Sequence, residues 1–186
     1  WRYQRQGWCG KMIHAIIISG FGGQGIIAAG RAIAYAAMQD GQNSSMLPSY
    51  GPEMRGGSAH CHVILTDRKI ASPLIALADA VVAMSLPALK KFECRVKPGG
   101  TLIVDSHLIQ QHEYRTDIHV VKIPATKLAG DIGSEKLANM VLIGALMKTL
   151  GAPSLAGMTE AVKKLLPKGQ ESLIPLEMKA LETGLL

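Results

Sequence analysis

A glycine-rich hexapeptide near the start of the chain is the first segment whose residue types and spacing indicate chemistry. Gly20-Phe21-Gly22-Gly23-Gln24-Gly25 has the pattern G-x-G-x-x-G. It follows an apolar, β-branched run at residues 15–19 and precedes an alanine-rich segment of helical length at 26–38. In such a strand, loop and helix, the backbone amides that open the helix face an anion and the glycines allow it to approach. The hexapeptide is therefore a candidate contact for a phosphorylated ligand.

A dinucleotide site needs one more feature, an acidic residue roughly 20 positions further on that holds the ribose at the end of the second strand. Asp40 has about this spacing, but it falls in the turn that ends the helix, and the second strand, predicted at 44–47, is followed by Pro48 and Ser49. This departure argues against an NAD-dependent dehydrogenase. Two interpretations stay open: the loop binds a phosphate, or its glycines admit close helix packing and another polypeptide.

The segment 47–57 is the second unusual region, because it is too long and too specifically composed for an ordinary connection. Arg55 is followed by two glycines, which leave room for a carboxylate, a phosphate or a backbone carbonyl beside its guanidinium. The alternative is a surface pair with Glu53, which contributes little energy. Tyr50 suits a partly buried protein interface, with contact to a substrate as the alternative.

The cysteines and histidines do not form a recognisable metal or nucleophile site. The chain has three widely spaced cysteines, Cys9, Cys61 and Cys94. Three thiols cannot supply the four ligands of an iron–sulfur cluster or an all-cysteine zinc site, and their odd number indicates a reducing cytoplasm. His60 and His62 share one face of a predicted strand, whereas Cys61 points to the other, which is unsuited to a common metal site. We expect no metal in this chain.

Composition excludes several classes of protein for these 186 residues. Hydrophobic residues make up 48% and charged residues 18%, which predicts a folded domain. The net charge of +6 fits an anionic partner, but the basic residues are spread out and aromatics are 4%, so we expect no nucleic-acid binding. No apolar run reaches the length of a membrane span. We interpret 1–12 as an N-terminal arm, native or partly vector-derived, and 13–186 as one domain.

Strand signals alternate with helical segments along the chain. We predict strands at 15–19, 44–47, 59–66, 80–84, 101–104 and 119–123. We predict helices at 26–38 and 87–96, and further helices through 125–186 that are broken near Gly151, Pro167 and Pro175. This order predicts an α/β fold: a Rossmann-like, doubly wound, mostly parallel sheet with helices on both faces and a helical C-terminal part. The loops that begin at Gly20, Pro48 and Ser85 should then share one rim.

Together the two loops carry a family resemblance. Gly20-Phe-Gly-Gly-Gln-Gly25 and Pro48-Ser-Tyr-Gly-Pro-Glu-Met-Arg-Gly-Gly57 resemble the gamma subunit of 2-oxoacid:ferredoxin oxidoreductases. The likeness runs from about Ile13 to the C-terminus, and further matching segments are 96–100, 102–105, 123–125 and 138–145. The form of 47–55 and the sequence at 173–176 are most similar to the 2-oxoglutarate type.

The resemblance implies one part of a multi-subunit enzyme. Such an enzyme converts a 2-oxoacid, coenzyme A and oxidised ferredoxin to an acyl-CoA, carbon dioxide and reduced ferredoxin, or the reverse. It implies that alpha and beta partner subunits, with delta as a further candidate, hold thiamine diphosphate, magnesium and the iron–sulfur clusters, and that ferredoxin is met through the complex. This chain alone would bind no cofactor, would be inactive and is a candidate homodimer.

The same resemblance assigns roles to the two loops, which would pack against partner subunits and shape the mouth of the active site. Candidates for the mouth are Tyr50, Glu53 and Arg55. Candidates for a coenzyme A or phosphate contact are Gly20, Gly22, Gly23, Gln24, Gly25 and Arg55. Candidates for the subunit interface are Ser49, Tyr50, Gly51, Pro52, Met54, Gly56, Gly57 and Asn139. For Asn139, within an apolar helix, a structural hydrogen bond is favoured over catalysis. A stand-alone nucleotide- or NAD-binding protein is the alternative.

Overall fold

The computed structural model of the chain describes residues 13–50 and 57–186. Its strands are β1 (Ile13–Phe21), β2 (Asn43–Tyr50), β3 (Ser58–Thr66), β4 (Ala78–Ala83), β5 (Val96–Asp105) and β6 (His119–Ile123). Its α-helices are α1 (Ile26–Gln39), α2 (Leu86–Phe92), α3 (Ala125–Ile132), α4 (Ala138–Leu150), α5 (Leu155–Leu165) and α6 (Ile174–Leu185). Short 3₁₀ turns lie at Glu93–Arg95, Glu135–Leu137 and Glu171–Leu173.

The six described strands form one sheet in the order β2-β3-β1-β4-β5-β6. Strands β1, β4, β5 and β6 are parallel to one another, whereas β3 runs antiparallel to both β1 and β2. Strand β2 therefore points the same way as β1, and the register places Tyr50 and Gly20 on either side of Ala59. The predicted mostly parallel, doubly wound α/β sheet is confirmed.

Side chains that alternate along β1 supply two separate cores. Ile16 and Ile18 are buried against α1 and the C-terminal helices, while Ile17 is buried on the other face with Leu89 and Phe92 of α2. Helix α2 packs on β1 and β4. The helical C-terminal part predicted from sequence thus thickens one face of the sheet.

Helix α4 is buried on almost every side, which explains its continuous apolar sequence. It packs so closely against α6 that the backbones of the two helices are in contact, and each helix has a glycine at this contact. A Cβ atom on Gly144 would lie 2.1 Å from the carbonyl oxygen of Leu181, and one on Gly184 would lie 1.9 Å from that of Val141. No other residue type fits at these two positions, so their glycines are required by packing.

Several predicted element bounds are wrong, and each error has a physical reason. The segment predicted as a loop from Pro48 begins inside β2, which extends to Tyr50, because an edge strand has one side that needs no ladder hydrogen bond. Residues 98–100 lie within β5, beside a register shift, and do not end the preceding element. Pro175 lies in the first turn of α6, where proline is tolerated. An unpredicted helix break falls at Gly133, whose φ is 134°.

Candidate functional site

The glycine loop and the second loop meet at one rim of the sheet. The amide of Gly22 donates a hydrogen bond of 2.9 Å to the carbonyl oxygen of Gly57. The carboxyl ends of β1, β2, β4, β5 and β6 share this rim with the start of β3. The prediction that both motifs lie on one rim is confirmed, and we call this edge the glycine-loop rim.

Part of the second loop lies outside the described residues. The candidates in that part are Gly51, Pro52, Glu53, Met54, Arg55 and Gly56. Ser49 and the backbone of Tyr50 belong to β2. The roles assigned to these residues at the active-site mouth, the coenzyme A contact and the subunit interface therefore stay predictions.

Gln24 braces the glycine loop from within. Its Oε1 accepts a hydrogen bond of 2.7 Å from the amide of Phe21, and its Nε2 donates one of 3.1 Å to the carbonyl oxygen of Met84 at the end of β4. A Cβ atom on Gly20 would lie 2.4 Å from Gln24 Oε1. The glycine at position 20 thus leaves space for this brace, and the polar groups of Gln24 are engaged within the chain.

Gly25 and Asn139 join the start of α1 to the start of α4. Gly25 is the N-cap of α1 in the left-handed conformation, with φ of 74°. Asn139 Nδ2 donates to the carbonyl oxygen of Gly25 at 3.4 Å, and a Cβ atom on Gly25 would lie 2.3 Å from that nitrogen. The bond of Asn139 is therefore interhelical, while its role at a subunit interface stays a prediction.

The first turn of α1 is open to an anion. Its N-cap is a glycine and no side chain caps it, so the first amides of the helix have no partner within the helix. Gly23, with φ of 98°, is exposed and has no described atom within 4 Å of its Cβ position. Backbone amides at the positive end of a helix, without side chains in front of them, are suited to an anionic group.

A cavity of about 260 Å³ lies beside this turn. The loops that follow β1, β4 and β5 and the starts of α3 and α4 contribute to its walls, with Gly23, Gln24, Met84, Leu108, Thr126 and Lys136 among the lining residues. The chain moves from β1 to one side of the sheet and from β4 to the other, so the cavity lies at the topological switch point. Ligands of open α/β sheets bind at this place.

Three large apolar side chains are exposed at the same rim. Phe21, the last residue of β1, is 38% exposed; Leu86, the first residue of α2, is 37% exposed; and Leu108, in the segment after β5, is 47% exposed. Apolar groups gathered at one edge are typical of a surface that another protein covers. Sequence patterns alone did not single out these residues.

Asp105 is a positioning residue that the sequence reasoning did not recognise. It is fully buried at the end of β5, where its carboxylate accepts hydrogen bonds of 3.0 Å from the amides of His107 and Thr126, and a further bond from the Thr126 hydroxyl. These bonds hold the start of α3 against the cavity. The available signal was a lone aspartate that ends an apolar strand.

Asp40, the residue nearest to a ribose-binding position by count, has a different role. It accepts hydrogen bonds from the amide and the hydroxyl of Ser154, the N-cap of α5, at 2.6 and 2.5 Å. Helix α1 has 14 residues, so Asp40 lies roughly 20 Å from the glycine loop. This geometry agrees with the argument against a dinucleotide site.

Cys61 and the two neighbouring histidines point to opposite faces of β3, as the alternation predicts. The Cys61 thiol is buried against α1 and donates to the carbonyl oxygen of Ile26 at 3.6 Å, and burial raises its pKa to about 12. It is therefore an unreactive core group.

Among the residues with described positions, no group of three or more His, Cys, Asp or Glu side chains is placed to hold a metal ion. No described helix has the length and apolar character needed to cross a membrane.

Comparison with known proteins agrees with this geometry. The family described as pyruvate ferredoxin/flavodoxin oxidoreductase matches residues 15–186. The chain belongs to this family. The 2-oxoglutarate synthase subunit KorC of Methanothermobacter marburgensis is 40% identical over 163 residues, which cover 84% of this chain and 88% of the relative.

Solved structures of two oxidoreductases of this kind have the same fold. The keto/oxoacid ferredoxin oxidoreductase gamma subunit of Geobacter sulfurreducens is 34% identical, with a TM-score of 0.79 over 92% of this chain and 95% of that subunit. A 2-oxoglutarate:ferredoxin oxidoreductase of Magnetococcus marinus, solved with 2-oxoglutarate, coenzyme A and succinyl-CoA, has a TM-score of 0.85 at 24% identity; the match covers 94% of this chain and 31% of that one. The resemblance to gamma subunits is thus confirmed, and a stand-alone NAD-binding protein is not favoured.

Proposed function

We propose that this oxidoreductase family member is the gamma subunit of a 2-oxoglutarate:ferredoxin oxidoreductase. The complex would convert 2-oxoglutarate, coenzyme A and oxidised ferredoxin to succinyl-CoA, carbon dioxide and reduced ferredoxin, or run in reverse. The observation that carries the proposal is the 40% identity to a 2-oxoglutarate synthase subunit whose own length is almost fully matched. A chain of the same extent, with the same fold, is suited to the same place in an assembly.

The chain would act by completing the enzyme at the glycine-loop rim. Exposed Phe21, Leu86 and Leu108 offer apolar contacts to partner subunits, and the loop at 51–56, with Arg55, would form part of the active-site mouth. The alpha, beta and delta partners would hold thiamine diphosphate, magnesium and the iron–sulfur clusters. The described part of this chain has only two cysteines and no acidic metal-ligand group, which does not fit those cofactors. We place the complex in the cytoplasm.

Coenzyme A would meet this chain at the uncapped turn of α1. The amides of that turn, the open face of Gly23 and the guanidinium of Arg55 would contact an anionic group of the coenzyme. The net charge of +6 favours this approach, and the related Magnetococcus marinus enzyme was solved with coenzyme A. Gln24 and Gly20 would support the loop without contacting the ligand, because their space and polar groups are already engaged.

The proposal is tested by purifying the tagged chain with its native partners and measuring reduction of ferredoxin. We expect the complex to require coenzyme A and to prefer 2-oxoglutarate over pyruvate and 2-oxoisovalerate, whereas the isolated chain is colourless, inactive and does not bind NAD by calorimetry. A complex that prefers another 2-oxoacid would correct the substrate. Tight NAD binding by the isolated chain, without associated subunits, would contradict the proposal.

A further inference from the structure

A second cavity lies on the sheet face that carries α2. Helix α2 packs on β1 and β4 of this face, whereas the cavity lies over β2 and β3. This β2–β3 groove has a volume of about 310 Å³ and is lined by Leu47, Pro48, Ser49, His60, His62 and Leu74. Leu74 belongs to the segment 67–77, which connects β3 to β4 without helix or strand. Leu74 is 69% exposed, so a large apolar side chain stands beside the groove with little packing of its own.

His62 places a hydrogen-bond donor without a described partner in the groove wall. The side chain is 7% exposed, and its Nδ1 accepts a hydrogen bond of 3.2 Å from the amide of Ile75. A neutral imidazole that accepts at Nδ1 carries its proton on Nε2, which is therefore a donor. Burial, with a smaller effect from Arg95, lowers the pKa of His62 and keeps the ring neutral. Nε2 is buried without a hydrogen-bond partner among the described residues, an arrangement that is costly unless an acceptor is added.

The charges around the groove favour a negatively charged acceptor. Lys91 Nζ and Arg95 Cζ lie 5.2 and 6.0 Å from the centre of the Phe92 ring, and the His60 ring lies 4.8 Å from it. Arg95 donates hydrogen bonds to the carbonyl oxygens of Ile75 and Ala76, but neither cation has an ion-pair partner in the described part of the chain. No acidic residue is among the described residues that line the groove. Burial, together with the charges of Lys91 and Arg95 and a coulombic effect of the neighbouring His62, lowers the pKa of His60 to about 4, so His60 itself is uncharged at neutral pH.

We propose that the β2–β3 groove receives a segment of a partner subunit whose Asp or Glu carboxylate accepts the hydrogen bond of His62 Nε2. The inference rests on the proposed function, which supplies the partner subunit. Leu47 and Leu74 would contact apolar side chains beside that carboxylate, and because Nε2 is buried, the carboxylate would have to displace part of the groove lining to reach it. The uncompensated charges of Lys91 and Arg95 favour a carboxylate over a neutral carbonyl.

The variant His62→Asn tests this bond in the assembled complex. The Asn Oδ1 can replace Nδ1 as the acceptor for Ile75, while the distal donor is removed. We expect the Kd between the chain and its partner subunits to rise roughly 10- to 100-fold, as for a lost hydrogen bond to a charged group. The temperature of thermal unfolding of the isolated chain should stay the same. His119→Asn, at an exposed position on β6 at the other edge of the sheet, is the matched control and should leave Kd unchanged.

The sign of the partner's charge is tested at Leu74, whose exposure makes substitution tolerable. Leu74→Glu should weaken assembly more than Leu74→Lys, because only the glutamate repels a carboxylate. Equal Kd values for these two variants, or a His62→Asn chain that binds as tightly as wild type, would overturn the inference. If that unaffected variant still supports ferredoxin reduction, the proposed function stands; a wild-type chain that joins no partner subunit overturns both.

A small carboxylate is the other source of the same chemistry, and succinate is the probe for it. We expect the His62 ring signals of the isolated chain, followed by NMR, not to shift with up to millimolar succinate. A saturable shift below that concentration, combined with unchanged assembly of His62→Asn, would assign the groove to a small organic acid and overturn docking of a subunit.

Discussion

Glycines serve opposite purposes in the glycine-loop rim and in the contact between α4 and α6. At the rim, Gly23 has no described atom within 4 Å of its Cβ position, so its missing side chain leaves open backbone for a ligand or partner. In the helical contact, Gly144 and Gly184 lie against backbone carbonyl groups, so their missing side chains allow packing. The difference shows that the same residue type marks function in one region and stability in the other, and each can be tested by substitution.

The largest effect is expected in the helical contact. Gly144→Ala places a Cβ atom against the backbone of α6 and should lower the free energy of unfolding by about 3 kcal/mol, near the upper end for overpacking. Gly130→Ala is the control, because the nearest atom to its Cβ position in α3 is 3.6 Å away; it should raise stability by about 0.5–1 kcal/mol. Urea unfolding measures both, and equal stability of the two variants would refute the packing argument.

At the rim, the largest effect should appear in function and not in folding. Arg55→Ala would remove the charge-assisted contact proposed for Arg55 and should raise the KM for coenzyme A roughly 10- to 100-fold in the assembled enzyme. Arg68→Ala, exposed in the turn after β3 at the opposite rim, should leave that KM unchanged. If the complex of Arg55→Ala is intact with unchanged KM and turnover, the coenzyme A contact is abandoned.

Substitution of Gln24 should lower the stability of the chain by less than substitution of Gly144. Gln24→Ala removes the hydrogen bonds to Phe21 and Met84 and should cost about 1–2 kcal/mol. Gln24→Glu keeps the acceptor for Phe21 but loses the donor to Met84, so an intermediate loss is expected. Urea unfolding of the three chains provides the test, and a Gln24→Ala chain as stable as wild type would show that the brace contributes nothing.

The smallest effect is expected from the ring of His60. Burial and the neighbouring charges lower its pKa to about 4, below the ordinary 6.5. Between these pH values the unfolded chain binds more protons than the folded one, so the contribution of His60 to stability falls as the pH falls. NMR titration should find its midpoint near 4, and His60→Gln should make the pH dependence of unfolding shallower by up to one proton. A midpoint near 6.5 would contradict this assignment.

Most of the strands and helices could be predicted from sequence patterns that lie within a single segment of the chain. The β-branched runs at β1 and β4 and the apolar α4 were predictable because burial on both faces leaves continuous apolar sequence. The roles of Gln24 and Asp105 and the hydrogen-bond partner of Asn139 were not, because these hydrogen bonds join segments that are far apart in the chain. The two loops could be recognised from their amino-acid composition. Whether a Cβ atom would have room, as at Gly23, or would clash, as at Gly144, depends on residues that are distant in sequence, so no local pattern reveals it.

The central claim is that partner subunits of an oxidoreductase cover the glycine-loop rim. Hydrogen–deuterium exchange of the chain, alone and in its complex, tests this most directly. We predict that amides at 20–25, 84–90 and 106–110 exchange more slowly in the complex, while those of α5, on the helical face, are unchanged. Protection confined to α5, with exchange at the rim unaltered, would contradict the account.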